Sequence, residues 1–511
     1  MKIRRILCCC TALLLLVLTL AACTGGGETG TSSAPVSTSS AESQPNAEKS
    51  IEDYVEKKDY GGRTFTILSP RMNADNKSET EYVKNEYADN YEGEKLAARV
   101  NDAIEARNHL VEEYLNVEIV EQRLHETSRP GGTMLTTVRN EIIAGGSQNY
   151  QVINPCLYDC GTLAAEGALY NLYTVSTLNG LEADWWDHTF NGDVSFGDKL
   201  YFTNGDMGFQ SKSSTAIVVF NRDLQTEYSL EDPYTLVREG TWTIDKAIEM
   251  AKTISQDLNQ DGKITYEDMV GWEGQLDDCW NMFYSSGSRI AAFDADGKLS
   301  LTMYTERSAR AAEKIMTLVQ DDAHYISAND YFGVTQWPVE LCMENFAAGN
   351  ALFFSDSLGS LINFQKMKGN YGLLPVPKLD EEQDNYESFI NPWVSSALCI
   401  PSTLSMEDAE FAGAVLECMG YYSMDTVRKE YYDEVLNYQH VQDDASMEML
   451  ELILDSRGCD IGNIFMVGNC HNLLHDFATM DSGSFRSAYE AVEATAQADI
   501  DRLNDLFEKL A

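Results

Sequence analysis

Arg63-Thr64-Phe65-Thr66-Ile67-Leu68 alternates polar and apolar residues and stops at Ser69-Pro70, the pattern of a short strand. Just after it, residues 94–115 carry Leu96, Val100, Ala103, Ile104, Val111, Tyr114 and Leu115 at helical spacing. Val117-Glu118-Ile119-Val120 returns to strand character, and a helix over 133–144 runs into Gly145-Gly146. Tyr150-Gln151-Val152-Ile153 is a third strand and 157–168 a third helix. Strands alternating with helices of this length predict an α/β fold, a mostly parallel sheet covered on both faces. Such sheets bind ligands in the loops at the carboxyl ends of their strands.

Beyond this block, Lys199-Leu200-Tyr201-Phe202 and Ala216-Ile217-Val218-Val219-Phe220 read as strands, and the last third is mainly helical, notably over 406–422, 444–456 and 484–510. No repeat and no Pro- or Gly-rich linker divides the chain after residue 60, so its domains are expected to interleave. The 511 residues are 44% hydrophobic and 10% aromatic, enough for a large core. Asp and Glu number 81 against 37 Lys and Arg, a formal charge of -44. A surface that acidic repels phosphate backbones and anionic lipid, which excludes general nucleic-acid binding and argues against electrostatic membrane attachment.

The first 22 residues read as an export signal: Lys2, Arg4 and Arg5, then the short apolar run Leu13–Leu20. Leu20-Ala21-Ala22-Cys23 resembles the bacterial lipoprotein box, which implies a diacylglycerol thioether with fatty acids such as palmitate on Cys23 and a protein anchored by lipid alone. Residues 23–59 then form a tether, rich in Gly, Ser and Thr over 24–50, that spans a few tens of Å at ~5–6 Å × √n. The eight cysteines at 156, 160, 279, 342, 399, 418, 459 and 470 are irregularly spaced. They read mostly as buried small residues, with a Cys459–Cys470 bridge left open.

Three stretches carry a family resemblance. The first is Gly197-Asp198-Lys199-Leu200-Tyr201, then Val219-Phe220-Asn221-Arg222-Asp223-Leu224, then Gly240-Thr241-Trp242-Thr243 opening a helix. The second is Phe346-Ala347-Ala348-Gly349-Asn350-Ala351-Leu352-Phe353, the third Tyr371-Gly372-Leu373-Leu374-Pro375-Val376-Pro377. In order and spacing they resemble the extracellular solute-binding proteins of ABC importers, the family that includes maltose-type sugar binders; Tyr431-Tyr432-Asp433 through Asp455-Ser456-Arg457 is similar to the family's large lipoprotein subgroup. The resemblance covers roughly residues 60–505. It implies a two-lobed, Venus-flytrap α/β fold of the periplasmic-binding-protein type with a helical C-terminal part. Lobe one is expected at 60–213 and 357–398, lobe two at 214–356 and 399–511. It also implies a monomer on the extracellular face of the cytoplasmic membrane that captures a carbohydrate, an oligosaccharide first of all, and delivers it to an ABC permease. Where the sugar binders often carry Gly-Pro-Trp after the second motif's strand, this chain has Ser355-Asp356-Ser357-Leu358-Gly359, so a stacking Trp is replaced by a candidate polar contact, Asp356.

Sugars present apolar C–H faces and polar edges, so their sites pair flat rings with a few polar groups. Trp272 and Trp280, which flank Gln275, Asp277 and Asp278, and Trp393 in Asn391-Pro392-Trp393 are the candidate rings; core packing is the alternative for each. Arg71 and Asn154 follow strands of the expected first lobe and complete the set. Asp257-Leu258-Asn259-Gln260-Asp261-Gly262-Lys263-Ile264-Thr265-Tyr266-Glu267-Asp268 has the spacing of a calcium loop. Asp257, Asn259, Asp261, the Lys263 carbonyl, Thr265 and Asp268 would hold one structural Ca2+; a solvated acidic turn is the alternative. His471 and His475 stand at i, i+4 without a third metal ligand placed by sequence. No nucleophile elbow, phosphate loop or dinucleotide fingerprint occurs, so the chain reads as a binder rather than an enzyme. Two readings compete: a tethered glycan hydrolase, and a calcium-dependent adhesion or scaffold lipoprotein.

Overall fold

The computed structural model describes residues 49–71, 87, 98–146, 149–364, 369–438 and 444–510. The chain divides after Lys49 into two units, and the fold described below is that of Ser50–Ala511. Cys23 and the signal segment lie outside the described residues.

Two sheets organise this unit. In the first, β1 (Arg63–Arg71) is central, with β2 (Val117–His125) and β3 (Val152–Ile153) both parallel to it. Strand β1 is buried from Phe65 to Pro70, with Phe65 and Ile67 fully inside, each contributing roughly 1.5–3 kcal/mol by burial. Helices α1 (Ala98–Leu115) and α2 (Thr133–Ile143) supply the two crossovers that the parallel strands require, and α3 (Leu157–Ala165) follows β3.

The second sheet is mixed. It runs β8 (Tyr371–Leu374), β4 (Ala216–Asn221), β7 (Ala351–Ser357), β5 (Met269–Gly274), with β6 (Tyr325–Ser327) also paired to β5. Strand β7 is antiparallel to β4 and parallel to β5. After it the chain returns to the first sheet, where Cys399 bridges Ile153 and Leu398 bridges Thr203.

The three motifs meet at one corner of the second sheet. The Asn221 side chain caps the next helix by accepting the N–H groups of Asp223 and Leu224 at 3.0 Å each, while its Nδ2 donates to the Gly349 carbonyl at 3.3 Å. Gly349, at φ +92°, makes the tight turn from helix into β7. Trp242, fully buried, donates from Nε1 to the Pro375 carbonyl at 2.9 Å. Each motif supplies the partner of another, which is the physical content of their fixed order.

Two expected lobe assignments change. Strand β8 lies in 357–398, assigned above to lobe one, yet it is hydrogen-bonded to β4 in the second sheet. Helix α5 (Met406–Ser423) lies in 399–511, assigned to lobe two, yet it packs on the first lobe. Its Asp408 pairs with Arg63, its Glu410 accepts the N–H groups of Ser176 and Thr177 at 2.9 Å each, and its Glu417 accepts Trp186 Nε1 at 2.8 Å. Helix α6 (Asp444–Asp455) packs on the second sheet, its Leu450 and Ile453 in one core cluster with Leu373, and Val427 and Tyr431 join the same cluster. All eight described cysteines are buried and free, so Cys459 and Cys470 form no bridge. No described helix is long and apolar enough to cross a membrane.

Candidate ligand cleft

Strands β5 and β7 are parallel neighbours, so their carboxyl ends open at the same edge of the second sheet. The chain leaves β5 through Gln275 and enters α4 (Asp277–Ser285); β7 ends in Ser355-Asp356-Ser357. Facing them is the crossing segment Asn391–Val394. Arg129, after β2, holds that segment to the first lobe by donating from Nη1 to the Trp393 and Val394 carbonyls at 3.2 and 3.4 Å. The Leu157 N–H of α3 donates to the Ser395 carbonyl at 3.0 Å. Between these walls lies a cavity of about 60 Å³, lined by Gln275, Asp277, Asp278 and Asn281 on one side, Ser355, Asp356 and Ser357 above, and Asn391, Trp393 and Val394 opposite.

Its walls are acidic and held in place by hydrogen bonds. Asp278 Oδ2 accepts from Ser355 Oγ at 2.6 Å, Tyr325 Oη at 3.0 Å and Trp272 Nε1 at 3.3 Å. Burial pushes its carboxyl up to about 6, against the three donors and with Asp277 adding to the rise. Asp277 Oδ2 accepts Asn391 Nδ2 at 2.8 Å, and its Oδ1 stands 3.5 Å from His475 Nε2. Asp356 Oδ1 accepts the Ser357 N–H at 2.7 Å. Its Oδ2 is buried without a partner, as is Oδ1 of Asn281. Burial pushes Asp356 up to about 7; the Ser357 N–H opposes this, and Asp277 and Asp278 reinforce it.

Of the residues expected to bind ligand, the structure brings Gln275, Asp356 and Trp393 together here. The Trp393 ring is half-buried, with Nε1 donating to the Arg129 carbonyl at 3.0 Å and the Arg129 guanidinium 5.7 Å from the ring centre. Trp272, Trp280 and Asn154 do not line the cavity. Trp272 is fully buried in the core against Phe353, because both faces of β5 are covered. Trp280 is 5% exposed and packs on α7 (Cys470–His475), stacked on His475 at 4.0 Å with Nε1 donating to the His471 carbonyl at 2.7 Å. Asn154 is buried at the end of β3; its N–H donates to the Leu68 carbonyl at 2.8 Å and its Oδ1 has no partner. Arg71 ends β1, and its side chain is outside the described residues. Asn281 is the wall residue that sequence reading missed. Its signal was the i, i+4 spacing from Asp277, which puts both on one helix face.

In the 257–268 loop the side chains of the expected calcium set accept main-chain N–H groups. Asp257 spends both carboxylate oxygens on the N–H groups of Gln260, Asp261 and Gly262, and Asp268 spends both on Leu258 and Thr265. Asn259 and Asp261 accept the N–H groups of Asp261 and Lys263. Among the described residues no three His, Cys, Asp or Glu side chains converge to hold a metal. The left-handed turn expected at Gly262 is present, at φ +84°.

A second groove, of about 1000 Å³, opens near Tyr284, Arg289 and Arg457. Its arginines are paired, Arg289 to Glu387, Arg238 to Glu448 at 2.7 Å and Arg457 to Asp187, while the Tyr386 hydroxyl, buried in its lining, has no partner.

Solved structures match over most of their length. An ABC substrate-binding protein of Listeria monocytogenes, in complex with cycloalternan, aligns with TM-score 0.55 and 13% identity over 86% of this chain and 99% of its own. UgpB from Mycobacterium tuberculosis, in complex with glycerophosphocholine, aligns with TM-score 0.55 and 15% identity over 87% and 99%. The maltose/maltodextrin-binding domain from Bdellovibrio bacteriovorus, bound to maltotriose, gives 0.51 and 12% over 86% and 100%. The chain has the two-lobed fold of the ABC importers' solute-binding proteins. No family model and no curated protein matches the sequence. In this fold the cavity occupies the place where strand ends of one lobe face the segment crossing from the other.

Proposed function

We propose that this chain is a solute-binding protein that captures a carbohydrate between its lobes, without turning it over, and hands it to an ABC permease from a lipid anchor at Cys23. The observation that carries the reading is the cavity: the half-buried indole of Trp393 in its wall, polar side chains around it, and acceptors buried without partners. This is how a site recognises a ligand with apolar faces and hydrogen-bonding edges. The structural neighbours solved with cycloalternan and maltotriose support the carbohydrate class. Pockets that bury a small molecule measure ~300–1,000 Å³, so a sugar can be taken up only when the walls of this cavity part by hinge motion.

The test is a melting curve of the mature protein across a saccharide panel, with the same mixtures assayed for cleavage products. A ligand held only by the native state raises stability by RT ln(1 + [L]/Kd), about 2.7 kcal/mol at 100-fold excess over Kd. A shift with an intact saccharide is expected; hydrolysis products would replace this reading with a glycan hydrolase. For the anchor, Cys23→Ser is expected to abolish lipid labelling, and unchanged labelling would refute it.

A further inference from the structure

The groove of about 1000 Å³ shares no lining residue with the cleft cavity. Two polar groups of its lining are left unspent. Tyr386 is 7% exposed, and its buried hydroxyl has no hydrogen-bond partner. Lys378 is 3% exposed; its ammonium donates once, to the Gln383 carbonyl at 2.6 Å, and stands 5.5 Å from the centre of the Tyr386 ring. An ammonium has three N–H groups, and among the described residues this one enters no ion pair. Seven acids line the groove, yet none serves it. Glu387 and Glu448 are taken by Arg289 and Arg238, Asp193 accepts the Cys459 N–H at 2.9 Å, and Glu239, Glu381, Asp384 and Asp455 are exposed. The pair is held in place by Gln383, which donates from Nε2 to the Ser285 and Asn385 carbonyls at 2.8 Å each and accepts from Arg307 at 2.8 Å. Gly240, at φ +70°, is the lining residue against the ammonium: a Cβ there would stand 3.2 Å from Lys378 Nζ. Having none, it leaves that side of the ammonium uncovered.

A buried cation without a counter-charge is costly, and so is a buried hydroxyl whose proton has no acceptor. One group removes both costs when it accepts from the two at once and carries a single negative charge, as a carboxylate does. Phosphate would bring further charge past the exposed acids to a place where only one cation is unpaired. We propose that this groove is a second ligand site, taking a small organic acid whose carboxylate lies between Lys378 Nζ and Tyr386 Oη. Its volume is at the upper end of the ~300–1,000 Å³ of small-molecule pockets, room for a body of sugar-acid size. The site stands apart from the carbohydrate reading of the cleft. Sugar acids and aliphatic acids share the carboxylate and are separated by the experiment.

The experiment is isothermal titration of the mature protein with glucuronate, lactate, inorganic phosphate and glucose, in a buffer free of other carboxylates. A hydrogen bond to a charged group separates ligands by about 10- to 100-fold in Kd. The expected result is that glucuronate or lactate binds at least about tenfold more tightly than phosphate and glucose, the tighter of the two telling a sugar acid from an aliphatic one. Lys378→Met and Tyr386→Phe are each expected to weaken that binding by about 10- to 100-fold. Tyr386→Phe decides the matter, because it removes only the oxygen that has no partner: without ligand it should melt no lower than wild type. Should Lys378→Met fail to fold by circular dichroism, Tyr386→Phe carries the test. Carboxylate binding that survives Tyr386→Phe places the ligand elsewhere and overturns the inference. A Tyr386→Phe protein that melts well below wild type shows the hydroxyl already engaged within the fold and overturns it too. Phosphate or glucose binding as tightly as the carboxylates overturns carboxylate selection, and binding by neither carboxylate overturns the site. None of these results touches carbohydrate capture in the cleft.

Discussion

Truncating Trp280 to Ala should unfold the protein more easily without touching ligand recognition directly. The ring is 5% exposed, stacked on His475 at 4.0 Å and 16°, and its indole N–H reaches the His471 carbonyl at 2.7 Å. Removing a buried Trp costs ~3–5 kcal/mol. Within that, the orphaned carbonyl accounts for about 1–3 kcal/mol and the ring stack for about 0.5–1.5 kcal/mol. Trp280→Phe keeps a ring and loses the N–H, so it should cost roughly the carbonyl share alone. The stack is isolated by a double-mutant cycle with His475→Ala, where a coupling of about 0.5–1.5 kcal/mol is expected. Urea unfolding without ligand gives these free energies, and titration of the folded variants gives affinity. If Trp280→Ala leaves the unfolding free energy within about 1 kcal/mol of wild type while weakening ligand binding, the ring faces the ligand and the assignment to helix packing fails.

Trp393→Ala should behave in the opposite way, losing a few kcal/mol of affinity at near-normal stability because its ring is only half-buried; equal losses in both would make it structural. The carboxyls of Asp278 and Asp356, raised from 3.8 to about 6 and about 7 by burial, favour the folded state fully below about pH 4. That contribution fades as pH rises through those values, so Asp356→Asn should flatten the fall in unliganded stability between about pH 4 and 7, and an unchanged slope would refute the assignment. Asp268 carries the opposite sign: burial raises its carboxyl, but the Leu258 and Thr265 N–H groups hold it below 3.8, so its contribution is present above about pH 4 and lost as acid protonates it. Asp268→Ala should cost about 1.5–3 kcal/mol at neutral pH; melting curves with and without chelator test whether the loop also holds calcium, and a fall on chelation would show that it does.

The first lobe was legible because strands and helices alternate along the chain, although β1 itself is buried without alternation from Phe65 to Pro70. Strand β8 was misplaced. Tyr371-Gly372-Leu373-Leu374 is buried throughout, and a strand without alternation carries no mark of which sheet it joins. Helix α5 was misplaced because its partners, Arg63, Ser176, Thr177 and Trp186, are more than two hundred residues away in sequence. At the cleft, Gln275, Asp356 and Trp393 were found through motif position. Trp272 and Trp280 misled because a large ring flanked by acids looks the same beside a ligand as beside its own lobe's polar network. The calcium spacing was equally ambiguous: Asp and Asn at alternate positions cap a tight turn's N–H groups as readily as they surround a cation.

The eight buried thiols make the molecule its own set of clocks. Burial holds the thiols of Cys160, Cys279, Cys342 and Cys459 well above their ordinary range, so each reacts with an alkylating reagent only when its surroundings open. They are spread usefully: Cys160 in α3, Cys279 in the helix that walls the cavity, Cys342 in the helix before β7, Cys418 in α5. Labelling rates followed one site at a time by mass spectrometry therefore resolve which parts loosen together and which resist, without introducing a probe. A solute that locks the closed form should slow the Cys279 clock first.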